Sequence, residues 1–366
     1  MNAHNSKHTS TSSSDKKFHK TILNDLRRGD LKRTFREEMR DIYYFYLDKE
    51  TRGRLATMGR LRRWLTVVLW LLKSMILKLS PVRRVLLVLC IAAIIISRND
   101  QGSALPLLAF IVLLLVLMFE LKDKLLARDE LETGRAVQSA LIPSENPKMA
   151  GWEIYLYTRP ANEVGGDLVD YLELPSGRLG IALGDVVGKG LGAALLMSKL
   201  QATIRALAPS FSSLAELSAR MNEIFLRDGL PSHFASLVYL EICSDSAKVR
   251  FVNAGHFPPI LIRGTSIEEM KQGGSALGIV SDEIYAEQYV ALEKNDVFLV
   301  YSDGLTEALD EDGAFFGDER LKTFLESEVG ASAEELGSRL LEKVEGFIGK
   351  ARASDDLSLV VLKRVE

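Results

Sequence analysis

Val164-Gly165-Gly166-Asp167-Leu168-Val169-Asp170, followed after a short hairpin by Gly184-Asp185-Val186-Val187-Gly188-Lys189-Gly190, decides how this chain is read. Each stretch sets a carboxylate in a glycine-flanked corner: Asp167 opens an apolar run, and Asp185 closes the run 179–183. Strand ends hold charge rigidly, so both carboxylates can project toward one point. Two later stretches repeat the arrangement. Tyr301-Ser302-Asp303-Gly304 follows the apolar run 297–300, and Ser354-Asp355-Asp356-Leu357 precedes the run 357–362. Carboxylates gathered together repel one another and have raised pKa values. A hard divalent cation with oxygen ligands is their natural counter-charge. Taken singly, each Asp also reads as a turn residue or helix cap, Asp303-Gly304 above all; only the set favours a shared ion.

Around these corners the texture is β with interspersed helices. The runs 152–158, 168–174, 178–183, 236–242, 248–252, 259–263, 288–292, 296–301 and 357–363 read as strands. Helical spacing predicts helices over 190–207, 213–226, 318–327 and 332–349, the last opened by the capping box Ser332-x-x-Glu335. Consecutive strands joined by turns such as Pro175-Ser176-Gly177 favour antiparallel pairing, so the domain reads as α+β. A nucleotide-binding loop at 184–190 fails on spacing: three residues, not four, separate Gly184 from Gly188-Lys189, and Gly190 stands where Ser or Thr is needed. Gly188 to Gly192 lacks the dinucleotide-fingerprint spacing as well.

Toward the N-terminus the chemistry changes. Residues 1–63 hold sixteen Lys/Arg against eight Asp/Glu and residues 120–366 twenty-five against forty, so the net charge of -3 conceals a basic front and an acidic back. Residues 1–16, Ser/Thr/Asn/His-rich, are expected to be disordered. Residues 17–63 read as basic, charged helices, with Tyr43-Tyr44-Phe45-Tyr46 as either a packing face or a bilayer contact. Residues 64–80, carrying Lys73 and Lys78, suit an interfacial amphipathic helix. Two apolar runs, 85–96 and 104–119, flank a polar loop at 97–103. Arg83 and Arg84 can snorkel to lengthen the first span, so residues 81–119 predict a two-span transmembrane hairpin. A buried soluble hairpin is the alternative. Basic residues outside both ends place the N-terminus and the C-terminal domain in the cytoplasm, at a cell inner membrane. Residues 120–145 read as a charged linker helix stopped at Pro143, with Gly134 interrupting any heptad. Cys90 and Cys243 are the only cysteines, which excludes a disulfide framework or a Cys-rich zinc site.

The order VGGD, GDVxGKG, NAGHxPP at 253–259, YSDG at 301–304 and SDDLS at 354–358 resembles the RsbU/SpoIIE branch of the PP2C-type metal-dependent serine/threonine protein phosphatases, over roughly residues 135–364, with the phosphatase domain itself expected at 146–366. The resemblance implies a four-layer α-β-β-α sandwich and two divalent cations, Mn²⁺ or Mg²⁺. It implies as ligands Asp167, Asp185 (bridging), the Val186 backbone carbonyl, Asp303 and either Asp355 or Asp356. Catalysis would run through metal-activated water held by Asp167, Asp185, Asp303 and Asp355. The helix ending Gln138-x-x-Leu141-x-Pro143 resembles the family's regulatory lever, or is a plain tether. Larger eukaryotic members carry His beside the bridging Asp, where this chain has Lys189, and an Arg for the substrate phosphate that no position here matches securely. Arg159, Lys189 and His256 are candidates for phosphate contact; Lys189 also reads as a solvent-facing turn residue and His256 as a structural one. Asp170 is either a supporting residue of the site or a solvated strand residue. The implied activity is that of a membrane-anchored phosphatase. It would act on phosphoserine or phosphothreonine of a partner-switching regulator such as a STAS-type anti-sigma factor antagonist. The alternative is a catalytically weak or inactive signalling module of the same fold. The expected partners are that phosphoprotein, the lipid bilayer and a second copy of the chain, with no nucleic acid.

Overall fold

A computed structural model describes residues 59–97, 104–228 and 233–366. The expectations for residues 1–58 and for the loop 98–103 lie outside the described residues. The chain divides into two compact units, residues 1–123 and 124–366.

In the first unit, α1 runs Arg60–Lys78 and α2 Pro81–Ser97; the division between units falls within α3, Leu105–Leu141. α2 begins with Pro, whose missing N–H costs nothing at a helix start. Its neighbour Arg84 donates from Nε to the Ile76 carbonyl and from Nη2 to those of Leu77 and Leu79, satisfying the open end of α1. Arg83 donates to Glu120 at 2.6 Å and to Asp123 at 2.5 Å. α3 alone among the described helices is long and apolar enough to cross a membrane. α2, at 17 residues, is about 26 Å long and short of the roughly 30 Å hydrocarbon thickness. Both bristle with exposed apolar side chains, among them Val85, Leu89, Ile95, Leu107, Phe110 and Leu117. α3 does not end where its composition turns charged at Glu120, nor at Gly134; Glu, Leu, Lys, Ala and Arg are all good helix formers, so the backbone continues to Leu141.

The second unit holds two antiparallel five-stranded sheets. The strands are β1 Trp152–Arg159, β2 Leu168–Leu174, β3 Arg178–Val186, β4 Ala235–Cys243, β5 Ser246–Ala254, β6 Ile260–Arg263, β7 Ser266–Glu269, β8 Gln288–Ala291, β9 Val297–Tyr301 and β10 Leu357–Arg364. One sheet has the order β1-β10-β9-β6-β7, the other β2-β3-β4-β5-β8. Helices α4 (Leu191–Leu207) and α5 (Leu214–Asp228) cover the second sheet; α7 (Gly317–Ser327) and α8 (Ala333–Ile348) cover the first, and α6 is the single turn Asp303–Thr306. Apolar side chains alternate along the central strands: Phe298, Val300, Val360 and Leu362 pack between the sheets with Ile181, Leu183 and Phe251, whereas Leu299, Tyr301, Leu359 and Val361 face α7 and α8. Strands buried on both faces explain the unbroken apolar runs at 297–300 and 357–362. The α-β-β-α sandwich thus agrees with the expected fold. Ser332 and Glu335 form the expected capping box of α8.

Candidate active site

The carboxylates of the four motifs come from the same end of both sheets. Asp185 sits in the last turns of β3, paired with Ser236 of β4. Asp303 begins α6 directly after β9, and Asp355 and Asp356 precede β10. Asp185, Asp303 and Asp355 line one cavity of about 350 Å³ with Val186, Lys189, Phe234, Ser236, His256 and Phe257. Asp167 lies deeper, 5% exposed, and its Oδ2 has no hydrogen-bond partner.

The electrostatics register this crowding. Burial, then repulsion from Asp303 and Asp355, pushes the Asp185 carboxyl up to about 7. Asp167 is raised well above the usual carboxylate range by burial and by Asp185, against the hydroxyls of Ser358 and Ser302. Burial and Asp355 raise Asp303, which the Gly304 N–H partly relieves.

Asp355 and Asp356, indistinguishable in sequence, point to different tasks. Asp356 is buried and accepts from the backbone N–H groups of Ala161 (2.7 Å), Gly166 (2.6 Å) and Asp167 (3.3 Å), fastening the loop that carries Asp167. Two glycines make room for it. A Cβ at Gly165 would stand 2.4 Å from the Asp356 carboxylate, and one at Gly304 would stand 1.8 Å from its carbonyl oxygen. Asp355 instead faces the cavity, and its Oδ2 accepts from Lys189 Nζ at 3.0 Å. Lys189 also donates to the Ser354 carbonyl.

The other candidates fall away from the chemistry or are already engaged. His256 is buried; Nδ1 bonds Ser236 Oγ at 2.7 Å and Nε2 bonds the Tyr301 carbonyl at 3.0 Å, and burial lowers its pKa to about 4. Arg159 pairs with Glu345 and does not line the cavity. Asp170 is not solvated: it is 1% exposed and takes a two-pronged hydrogen bond from Arg205, both arms 2.7 Å. Gln138, which the sequence marks only as part of a helix ending that resembles the family's regulatory lever or is a plain tether, has a defined partner. Its buried side-chain amide donates to the Gly165 carbonyl (2.7 Å) and accepts from the Gly165 N–H (3.0 Å), so the end of α3 grips the loop bearing Asp167. The ending Gln138-x-x-Leu141-x-Pro143 is the signal in the sequence, but nothing in it names Gly165 as the partner. Gln201 of α4 donates to the Leu141 carbonyl at 2.7 Å.

Among the described residues, no three acidic, His or Cys side chains stand close enough to enclose an ion as they lie. The donor set nonetheless fits a hard divalent cation: it is all oxygen, it includes an orphaned buried carboxylate oxygen, and burial followed by repulsion from neighbouring carboxylates raises the pKa of Asp167 and Asp185. Lys189, holding Asp355, is the cation present.

Residues 175–365 match the family model for Stage II sporulation protein E (SpoIIE), a span that includes Asp185, Asp303 and Asp355 and begins after Asp167. The chain is 26% identical over 273 residues to protein IcfG of Synechocystis sp., covering 67% of this chain and 43% of that protein. It is also 26% identical over 242 residues to the phosphoserine phosphatase RsbU of Bacillus subtilis, covering 65% of this chain and 70% of that one. It thus spans less than half of the first relative. The SiaA PP2C domain of Pseudomonas aeruginosa superposes with a TM-score of 0.56 at 20% identity, over 66% of this chain and 98% of that domain. The RsbU and RsbW domains of a Mycobacterium tuberculosis protein give a TM-score of 0.50 at 25% identity, over 60% of this chain and 61% of that one. With the sandwich and its acidic cleft already in place, these matches establish that the chain belongs to the SpoIIE family and carries a PP2C-type protein serine/threonine phosphatase domain.

Proposed function

We propose that the protein is a membrane-anchored, metal-dependent phosphatase that hydrolyses phosphoserine or phosphothreonine on a partner-switching regulator of the anti-sigma-factor-antagonist type. The observation that carries the chemistry is the meeting of Asp185, Asp303 and Asp355 on one cavity, with Asp167 behind them. Asp167, Asp185, Asp303, Asp355 and the Val186 carbonyl would hold two Mg²⁺ or Mn²⁺ ions. Asp356, spent on three backbone N–H groups, is the weaker candidate. Such ions, when bound, supply charge neutralisation and a water that is deprotonated near neutral pH.

The chain's own residues do the rest. β3 and β9 fix Asp185 and Asp303 from two different sheets, so their separation is set by the packing between the sheets. Asp356 and Gln138 hold the Gly165-Gly166-Asp167 loop by its backbone. Lys189, which lines the cavity between Gly188 (φ 114°) and Gly190 (φ 71°), would leave Asp355 to meet a substrate phosphate. His256, with both ring nitrogens engaged, stays out of proton transfer and braces Ser236 against β9.

Residues 146–366 would form the catalytic domain, with 120–145 as linker, 81–119 as a two-span hairpin and 64–80 on the bilayer surface. The exposed apolar faces of α2 and α3 support a lipid setting, and Arg83 with Glu120 and Asp123 would mark its cytoplasmic edge. The likeness to RsbU supports the class of phosphoprotein substrate. A binding module without chemistry is the second reading, favoured by the Lys189–Asp355 ion pair filling a ligand position. Both are tested on the full-length protein in detergent with Mn²⁺ and a phosphoserine peptide. Hydrolysis that EDTA abolishes supports the enzyme. Hydrolysis that survives EDTA sinks the metal mechanism, and Mn²⁺-independent inertness with no ion bound leaves the binding module.

A further inference from the structure

The cavity that gathers the carboxylates has a second, uncharged wall. Phe257 (38% exposed), Phe234 and Val187 line it together with Asp185, Asp303 and Asp355. A single exposed phenylalanine needs no explanation, but exposed Phe257 and half-buried Phe234, sharing a concave site with the acidic groups, do.

Both aromatics are tied to the strands that deliver the acids. The Phe257 ring stacks on Tyr301 with centroids 5.9 Å apart and planes 24° apart, and Tyr301 is the last residue of β9, two before Asp303. The backbone beneath Phe257 is fixed as well. Asn253 Nδ2 donates to the carbonyls of His256 (3.0 Å) and Phe257 (3.3 Å), while its Oδ1 accepts from the His256 N–H at 2.8 Å. Gly255 turns there at φ 71°, and a Cβ on it would meet the Ala276 backbone nitrogen at 2.4 Å. Across the cavity, the Phe234 carbonyl accepts from Val187 N–H at 3.0 Å, two residues past Asp185. Neither ring belongs to the three buried apolar clusters, although Phe257 leans on Tyr301 at the border of one of them.

Carboxylates and the charges they gather can recognise a phosphate but not the residue next to it. Rigid aromatic faces recognise apolar side chains at low entropic cost. An extended peptide advances about 3.3 Å per residue, so a side chain one or two positions from the phosphorylated one stays within this cavity. We infer that Phe257 and Phe234 form an apolar subsite that selects protein substrates with a hydrophobic side chain beside the phosphoserine or phosphothreonine. The inference rests on the phosphatase reading above.

The test uses full-length protein in detergent with Mn²⁺, p-nitrophenyl phosphate, and phosphoserine peptides that carry Leu, Phe, Ala or Lys at the positions within two residues of the phosphoserine. At the best position the wild type is expected to prefer Leu or Phe over Ala by about tenfold in kcat/KM, carried by KM. Phe257→Ala and Phe234→Ala should collapse that ratio, taken within each variant so that residual activity does not matter, while Phe257→Leu retains it. A wild type indifferent to the flanking residue overturns the subsite with no variant needed, as does a preference that survives both alanine variants. Failure to turn over p-nitrophenyl phosphate and every peptide takes down the phosphatase reading instead, and the subsite with it.

Discussion

Asp167 and Asp170 stand three residues apart at the start of β2, both almost wholly buried, yet they are served differently. Asp170 receives the guanidinium of Arg205, and on β4 of the same sheet the buried Glu241 receives Arg178 and Arg250. Among the described residues Asp167 and its neighbour Asp185 receive no cation, and one carboxylate oxygen of Asp167 has no hydrogen-bond partner. Burying a charge costs several kcal/mol unless it is paired. Asp170 and Glu241 are paired with arginines of the fold, whereas of the cleft acids only Asp355 has a lysine beside it and Asp167 and Asp185 stand without a paired cation among the described residues.

The contrast can be broken first at Asp185. Asp185→Asn should cut Mn²⁺-dependent hydrolysis by at least about a hundredfold. The same variant should melt higher than wild type without metal above neutral pH. The folded-state carboxyl is raised from 3.8 to about 7, so between those values the folded protein holds more protons than the unfolded one and stability falls as pH rises. The share of that fall due to Asp185, of order 2–4 kcal/mol, should be missing in the variant, leaving the shallower fall due to Asp167 and Asp303, and be offset by Mn²⁺ in wild type, as thermal melts between pH 4 and 8 would record.

Arg205→Ala makes the opposite case, because it strands a buried charge. With half of the arginine in solvent, a loss of about 2–3 kcal/mol in denaturant midpoint experiments is expected, with no dependence on metal. A metal-dependent loss would mean that Asp170 belongs to the cleft after all. Next come the adjacent acids. Asp356→Asn should cost about 1–3 kcal/mol of stability by weakening its grip on Ala161, Gly166 and Asp167. Asp355→Asn should leave stability nearly unchanged and abolish metal-dependent activity. If the two variants behave alike, the division between them is wrong. The smallest effect belongs to Lys189. As an exposed ion pair is worth about 0–1 kcal/mol, Lys189→Ala should tighten Mn²⁺ binding by no more than about fivefold in isothermal titration.

Much of this arrangement could be read from residue order alone. Alternation and apolar runs located nine of the strands to within a few residues, because burial on one or both faces writes itself into the side chains. β7 escaped because Ser266, Glu268 and Glu269 are an exposed edge that buries little. α6 escaped because a single turn has no periodicity. The Asp set was visible as four strand-border motifs, but the choice between Asp355 and Asp356 was not: it depends on which one meets the N–H groups of a loop nearly two hundred residues earlier. Phe234 and Phe257 were hidden for a similar reason, since an aromatic at a cleft and one in a core look alike until the surroundings are known. Gln138 shows the reverse limit, a residue noticed for its position but with its partner Gly165 set by tertiary contact.

β10 is the last strand in chain order but lies between β1 and β9, with Trp152 opposite Arg364. The first sheet is therefore closed by an insertion at its middle, the kind of distant pairing that slows folding. Without this strand β1 and β9 lose the partner that lies between them, and Asp355 and Asp356, which lead into it, lose the anchor that holds them at the cleft.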